Sequence, residues 1–263
     1  MTRALPRAHF NSSRLTRFLT ENALLDAAPA REEVGQSLGD WLNFRQAIAL
    51  HAVLNPEQPS TTAASPQRHS KRISFGALTQ HVNQVRSQLE QSIVQGAPPG
   101  SGLTRMDMPA PTLDEPIEPK TAFEPYRRFY AAHQRQMETV LRTLRSQVRA
   151  QLAQSNPALQ QLATLDAAFE GILVEREALL LAKVVKLHEK RFAQALKQHI
   201  QSKSKGEYPS APPSPTATAD HPGCWLAPLQ EAMRNALLAE LDTRLQPTLG
   251  LLEALQQEHI TSP

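Results

Sequence analysis

The chain has 263 residues, 40% of them apolar and only 5% aromatic, a length that suits one large domain or two small ones. Cys224 is the single cysteine, so no internal disulfide forms, a disulfide scaffold is excluded, and a reducing, cytoplasmic setting is expected. The net charge of +3 hides an asymmetry: residues 1–122 carry +1, residues 123–205 carry +7 and residues 206–263 carry −5.

The abundance of Ala, Leu and Gln favours helix, because these side chains lose little rotamer freedom there, and no segment alternates in the manner of a strand. Residues 1–19 have scattered arginines and no apolar core, so they do not read as a secretory signal. The longest apolar run, Ala178 to Ala182, is far too short for a membrane span. The expected fold is all-α: an N-terminal module of short helices (1–95), a Pro-rich linker (96–121) and a long basic helical hairpin (122–201). A Pro/Ser-rich linker (202–222) and an acidic C-terminal helix (223–263) that packs on the hairpin complete it as a coiled-coil-like three-helix bundle.

In the N-terminal module, helices are expected over Ser13–Leu25, Ser37–Leu54 and Phe75–Gln95. Their apolar faces are Leu15, Phe18 and Leu19; then Leu38, Trp41, Leu42, Ala47, Ile48, Leu50 and Leu54; then Leu78, Val82, Val85, Leu89 and Ile93. Proline-rich stretches at 56–70, 96–121 and 202–222 read as mobile linkers without helix, because proline removes amide donors and disfavours helix in the residue before it. From Tyr126 the apolar seam runs through Tyr130, His133, Met137, Val140 and Leu144 in steps of four and three, a heptad, and continues at Val148 and Leu152. Asn156 is expected to cap a second long helix with Pro157 at its first position, and the short turn folds the two helices back antiparallel. Counting about that turn sets His133 opposite Leu179 or Leu180, and Asp166 and Glu170 near Arg145 and Arg142. The last helix is expected from Leu226 to His259, with Leu226, Leu229, Met233, Leu237, Leu241, Leu245, Leu249 and Leu252 on one face and a kink at Pro247.

The candidate binding feature is a row of arginines seven apart, Arg128, Arg135, Arg142 and Arg149, joined by Arg145. At the outer heptad position they form a basic ridge that suits phosphates or an acidic protein surface. A solvated outer face is the simpler account, since such positions are usually charged. Tyr126-Arg127-Arg128-Phe129-Tyr130 interleaves rings and guanidinium groups as single-strand binders do, but the two tyrosines lie on the seam and read first as core. His188 and His199 lack a cysteine or carboxylate at metal-ligand spacing, Asp166 and Glu170 read as interhelical ion-pair partners, and Cys224 has only His221 near it. No glycine-rich phosphate loop or nucleophile elbow is present. Catalytic, metal and cofactor residues are therefore not assigned.

Several segments resemble an uncharacterised proteobacterial family catalogued as domain of unknown function 3348. They are Leu38-Gly39-Asp40-Trp41-Leu42 with Ala47-Ile48-Ala49-Leu50, Tyr126-Arg127-Arg128-Phe129-Tyr130, Leu144-Arg145 with Val148-Arg149, Leu162-Ala163-Thr164-Leu165-Asp166-Ala167, and Ala239-Glu240-Leu241-Asp242-Thr243-Arg244-Leu245-Gln246-Pro247. The resemblance covers most of the chain outside the linkers. It implies an all-helical fold and no catalytic residues. It also implies a setting near ion-driven motors and peptidoglycan-binding envelope proteins, similar to anti-phage defence systems of the Zorya type. The expected function is a non-enzymatic adaptor or accessory subunit with protein partners, envelope-motor components among them. Nucleic-acid binding through the ridge is the alternative, and self-association is open because heptad seams close within or between chains.

Overall fold

The computed structural model describes residues 14–21, 39, 41–55, 73–110, 118–205 and 224–261, and most of the described residues are helical with no strand among them. The α-helices are α1 (Arg14–Glu21), α2 (Phe44–Leu54), α3 (Phe75–Gln95), α4 (Pro119–Leu152), α5 (Pro157–Lys205) and α6 (Ala227–Thr261), with a 3-10 turn at Cys224–Leu226 before α6. The all-α expectation holds, and α3 adds a further long helix to the hairpin and C-terminal helix. The expected linker at 56–70 and most of that at 202–222 lie outside the described residues.

Local chemistry sets the helix ends. Gly96, at φ 92°, donates its amide to Ser92 O at 3.2 Å and terminates α3 in the left-handed conformation that glycine adopts at low cost. Pro119 opens α4 rather than belonging to a linker, because a proline at the first helical position gives up an amide that has no intrahelical partner anyway. Asn156 caps α5 as expected, its side chain accepting from the Leu159 amide at 2.8 Å. Helix α5 then runs on through Ser202 to Lys205, four residues assigned to the following linker. The expected Ser37–Leu54 helix is interrupted. Asn43 is extended (φ −80°, ψ 164°) and caps a new helix by a reciprocal pair: it accepts from the Gln46 amide at 2.9 Å, and Gln46 accepts from the Asn43 amide at 3.0 Å.

The chain divides into two compact units that do not follow the proline-rich stretches. The first comprises Met1–Leu24, Gln88–Met137 and Leu180–Asp242, and the second Leu25–Ser87, Glu138–Leu179 and Thr243–Pro263. In the first unit α4 and α5 are antiparallel, Phe123 meeting Phe192 (ring centroids 5.5 Å) while Arg127 pairs with Glu189 at 2.9 Å. Trp225 extends this ring cluster at 5.8 Å from Phe192, and Leu226, Met233 and Leu237 of the turn and α6 are fully buried. Helix α1 lies on α5 and α6, where Leu15 packs with Leu181 and Ala239. The segment 96–110, expected as a mobile linker, is fastened: the Thr104 amide donates to Gln136 at 2.8 Å, and Pro109 O accepts from Gln230 at 3.2 Å.

In the second unit, Leu78, Val82, Val85, Leu144, Val148 and Leu245 fill the interior, and the Ile73 amide donates to Gln151 of α4 at 3.0 Å. The seam of α4 departs from the heptad here. Leu141 is buried and Val140 only half-buried, and the buried apolar positions of α4 in this unit are 141, 144, 148 and 152. Leu141 and Leu152 lie eleven residues apart, three turns of about 3.6 residues, and reach that spacing by steps of three, four and four, which a strict heptad does not. The stripe of α6 shifts similarly after Pro247: Thr248, Leu251, Leu252 and Leu255 are buried, and Leu249 is half-buried.

Candidate functional site

The expected arginine ridge does not form as a straight row. A helix of 3.6 residues per turn drifts about 20° per seven residues, so four arginines at that spacing wind about 60° around α4. Arg128 and Arg135, in the first unit, stay exposed; Arg128 pairs with Glu124 at 3.0 Å, and Arg135 donates to Ala131 O of its own helix at 3.2 Å. Arg142, in the second unit, is exposed and bound to Glu138 at 2.7 Å. Arg145 and Arg149 turn inward, with side chains 17% and 15% exposed. Arg145 forks onto both oxygens of Asp166, and Arg149 bridges Asp166 (3.0 Å) and Glu170 (2.6 Å). Asp166 is therefore beside Arg145 as expected, whereas Glu170 meets Arg149 instead of Arg142, about two turns further along α4.

A cleft of about 130 Å³ opens within the second unit, lined by Glu138, Arg142, Arg145, Glu170, Glu177 and Arg244 together with Leu141, Leu173, Val174 and Pro247. Its arginines already have carboxylate partners: Glu138 for Arg142, Asp166 for Arg145 and Glu177 for Arg244 at 2.8 Å. Three arginines against three glutamates leave the lining without net charge. The arrangement stiffens the helices more readily than it concentrates an anion.

The first unit holds a different polar group. Glu240 of α6 is fully buried, where a carboxylate needs partners. Gln134 supplies them, donating to both its oxygens at 3.2 and 3.0 Å, with the Tyr130 hydroxyl at 3.4 Å. The Tyr130 ring lies 5.4 Å from that of His188, which is fully buried and has no hydrogen-bond partner for either ring nitrogen among the described residues. His133 is buried edge-on against Phe129 of its own helix at 4.6 Å, and Leu179 and Leu180, the residues expected opposite it, are 69% and 52% exposed. Burial lowers both histidines to about 4, and the positive charge of Arg191 adds to the effect at His188. His199 stacks on Trp225 at 5.0 Å. Tyr126 and Tyr130 are core, as their seam positions imply. Among the described residues no three His, Cys, Asp or Glu side chains gather to hold a metal. His221, the residue near Cys224, lies outside the described residues, as does the Cys224 side chain.

Helix α2 is the feature that periodicity misjudged. Its apolar stripe is expected to face a core, yet it has no buried residue. Gln46, Leu50 and Val53 are half-buried, whereas Phe44 (83% exposed), Ile48 (55%) and Leu54 (51%) face outward. Trp41 just before it is 39% exposed and lies under the Arg176 guanidinium at 5.4 Å. The buried role of Glu240 was also missed. Its place in Met233, Ala236, Leu237, Glu240 and Leu241, at three- and four-residue steps within an apolar stripe, was the available signal.

Among the described residues no helix is long and apolar enough to cross a membrane. No curated protein and no solved structure matches the chain. Residues 1–257 match the family described as protein of unknown function (DUF3348), and the chain belongs to that family.

Proposed function

We propose that this protein is a non-enzymatic helical adaptor, an accessory subunit that docks a protein partner on the outward face of α2. The observation that carries the reading is a capped helix whose largest apolar side chains, Phe44, Ile48 and Leu54, stand in solvent. Exposed apolar residues grouped on one element mark interaction sites more often than scattered ones do. The polar groups inside each unit support the non-enzymatic part. Glu240, Asp166 and Glu170 are each engaged by neighbouring side chains, so they act as braces rather than as poised acids or bases. In the setting that we take from the resemblance, an envelope-motor component of a defence complex is the partner to look for first.

The test is affinity purification from the native host after nuclease treatment, comparing the wild type with a Phe44→Glu/Ile48→Glu variant. A partner recovered by the wild type and lost by the variant, at unchanged helicity and thermal midpoint, is the expected result. Recovery of the same proteins by both forms overturns the reading. Nucleic acid is the alternative partner class, and it rests on the exposed Arg128, Arg135 and Arg142. Binding that falls steeply with salt and disappears on their replacement by Gln would favour it.

A further inference from the structure

Within the first unit, α5 buries Val184, His188, Phe192 and Leu196, a stripe at four-residue steps. The opposite side of the helix carries Lys183, Lys186, Lys190 and Lys197, all exposed. At 3.6 residues per turn the four lie within about 60° of one another around the axis and span about 21 Å along it. This row differs from the arginines of α4 in its partners. Arg127, Arg128 and Arg142 each hold a glutamate, so much of their charge is answered within the chain. None of the four lysines has a hydrogen bond or a carboxylate partner among the described residues. Glu189 is the one carboxylate of the chain between 180 and 202, and it is bound to Arg127 at 2.9 Å. A large apolar side chain stands beyond each end of the row, Leu180 at 52% exposure and Ile200 at 45%.

A row of unanswered cations fits an anionic surface, and its chemistry selects among such surfaces. Lysine is strongly hydrated and is depleted from protein interfaces, which disfavours a protein as the occupant. The phosphates of duplex nucleic acid would match the charges, but Leu180 and Ile200 would then meet a charged backbone that gains nothing from apolar side chains. A bilayer containing anionic lipid meets both requirements. Its headgroups attract each lysine near the surface, roughly a fivefold gain in binding apiece, and the boundary beneath them accepts apolar side chains. We infer that the outer face of α5, from Leu180 to Ile200, is a docking surface for the anionic headgroups of a membrane, on which it lies without crossing. This face belongs to the first unit and α2 to the second, so Phe44→Glu/Ile48→Glu leaves it intact and either proposal can fail alone.

The experiment is co-sedimentation of the full chain with vesicles of phosphatidylcholine alone and of phosphatidylcholine mixed with phosphatidylserine. The wild type is expected to bind the mixed vesicles and not the neutral ones, and binding should weaken as salt is raised. Lys183→Gln/Lys186→Gln/Lys190→Gln/Lys197→Gln should weaken it about a hundredfold, at unchanged helicity and thermal midpoint because these side chains are exposed and unpaired. Leu180→Ser/Ile200→Ser keeps every charge and should weaken it about fivefold. Equal binding by the wild type and the lysine variant overturns the inference. An equal loss when Arg128, Arg135 and Arg142 are replaced by Gln instead also overturns it, since net charge alone would then account for binding. Indifference to Leu180→Ser/Ile200→Ser does the same, because the apolar pair is what sets a bilayer apart from other polyanions. Lysine-dependent binding to duplex DNA, with neither kind of vesicle bound, would make nucleic acid the occupant and exclude the membrane.

Discussion

Helices α3 to α6 each contribute to both compact units, and the units differ in which ionisable groups they bury. In the first, Glu240, His133 and His188 sit at 0 or 1% exposure, and the buried carboxylate accepts from Tyr130 and Gln134. In the second, charges are kept as ion pairs around the cleft, with Asp166 shared by two arginines and Glu177 facing Arg244. Buried histidines make stability depend on protonation state, whereas part-buried ion pairs make it depend on salt. The two units should therefore respond to different solution conditions.

Acid should have the largest effect, and it should fall on the first unit. His133 and His188 titrate at about 4 in the folded chain against 6.5 as the ordinary value, so the unfolded chain binds more protons between those limits. Their contribution is complete above pH 6.5 and is lost as pH falls towards 4, on the order of 3 kcal/mol for each. Urea unfolding at pH 7.5 and pH 5, compared with a His133→Leu/His188→Leu variant, measures it. The variant should show a clearly shallower loss, and an equal loss would remove the histidines from the account.

The next effect concerns the packing of the second unit. Leu141→Ala should cost about 3 kcal/mol by opening a cavity, and Val140→Ala under about 1 kcal/mol, whereas a strict heptad requires the reverse order. Denaturation midpoints of the two variants decide between the repeats. Asp166→Ala strips Arg145 of its fork and Arg149 of one of its two carboxylates, and should cost about 2 kcal/mol. Added salt should narrow the gap between that variant and the wild type, measured as thermal midpoints in low and high salt. The smallest effect is expected from Arg128→Gln/Arg135→Gln, within about 0.5 kcal/mol, because exposed charges of this kind contribute little to stability. A larger loss would give those arginines a structural role that their exposure does not suggest.

What the amino-acid order revealed was mostly local. The bounds and buried face of α3, the Asn156-Pro157 restart and the antiparallel hairpin all follow from caps and short-range spacing. Three things were hidden, for related reasons. Counting in sevens assumes 3.5 residues per turn, so it placed Val140 on the seam and Arg149 outside; the true winding moves Leu141 inward and carries Arg149 round to Asp166 and Glu170. The burial of Glu240 depends on α1, α4 and α5 surrounding α6 in the first unit, a property of assembled helices rather than of one helix's pattern. The apolar stripe of α2 was read correctly as apolar, but periodicity says only that a face is oily and leaves open what meets it.

The capping box of α2 has a consequence for how fast and how selectively the proposed partner would be taken up. Asn43 and Gln46 satisfy each other's amides with no partner present, so the chain holds Phe44, Ile48 and Leu54 in their helical register beforehand. A ligand that meets a ready-made helix avoids the ordering entropy of a coil, roughly 1 kcal/mol or more for each residue fixed. Recognition on the proposed face would then behave as a collision between shaped surfaces rather than as folding upon contact. Its association rate should be set by diffusion and orientation, and Asn43→Ala should slow capture while leaving every contacting side chain in place.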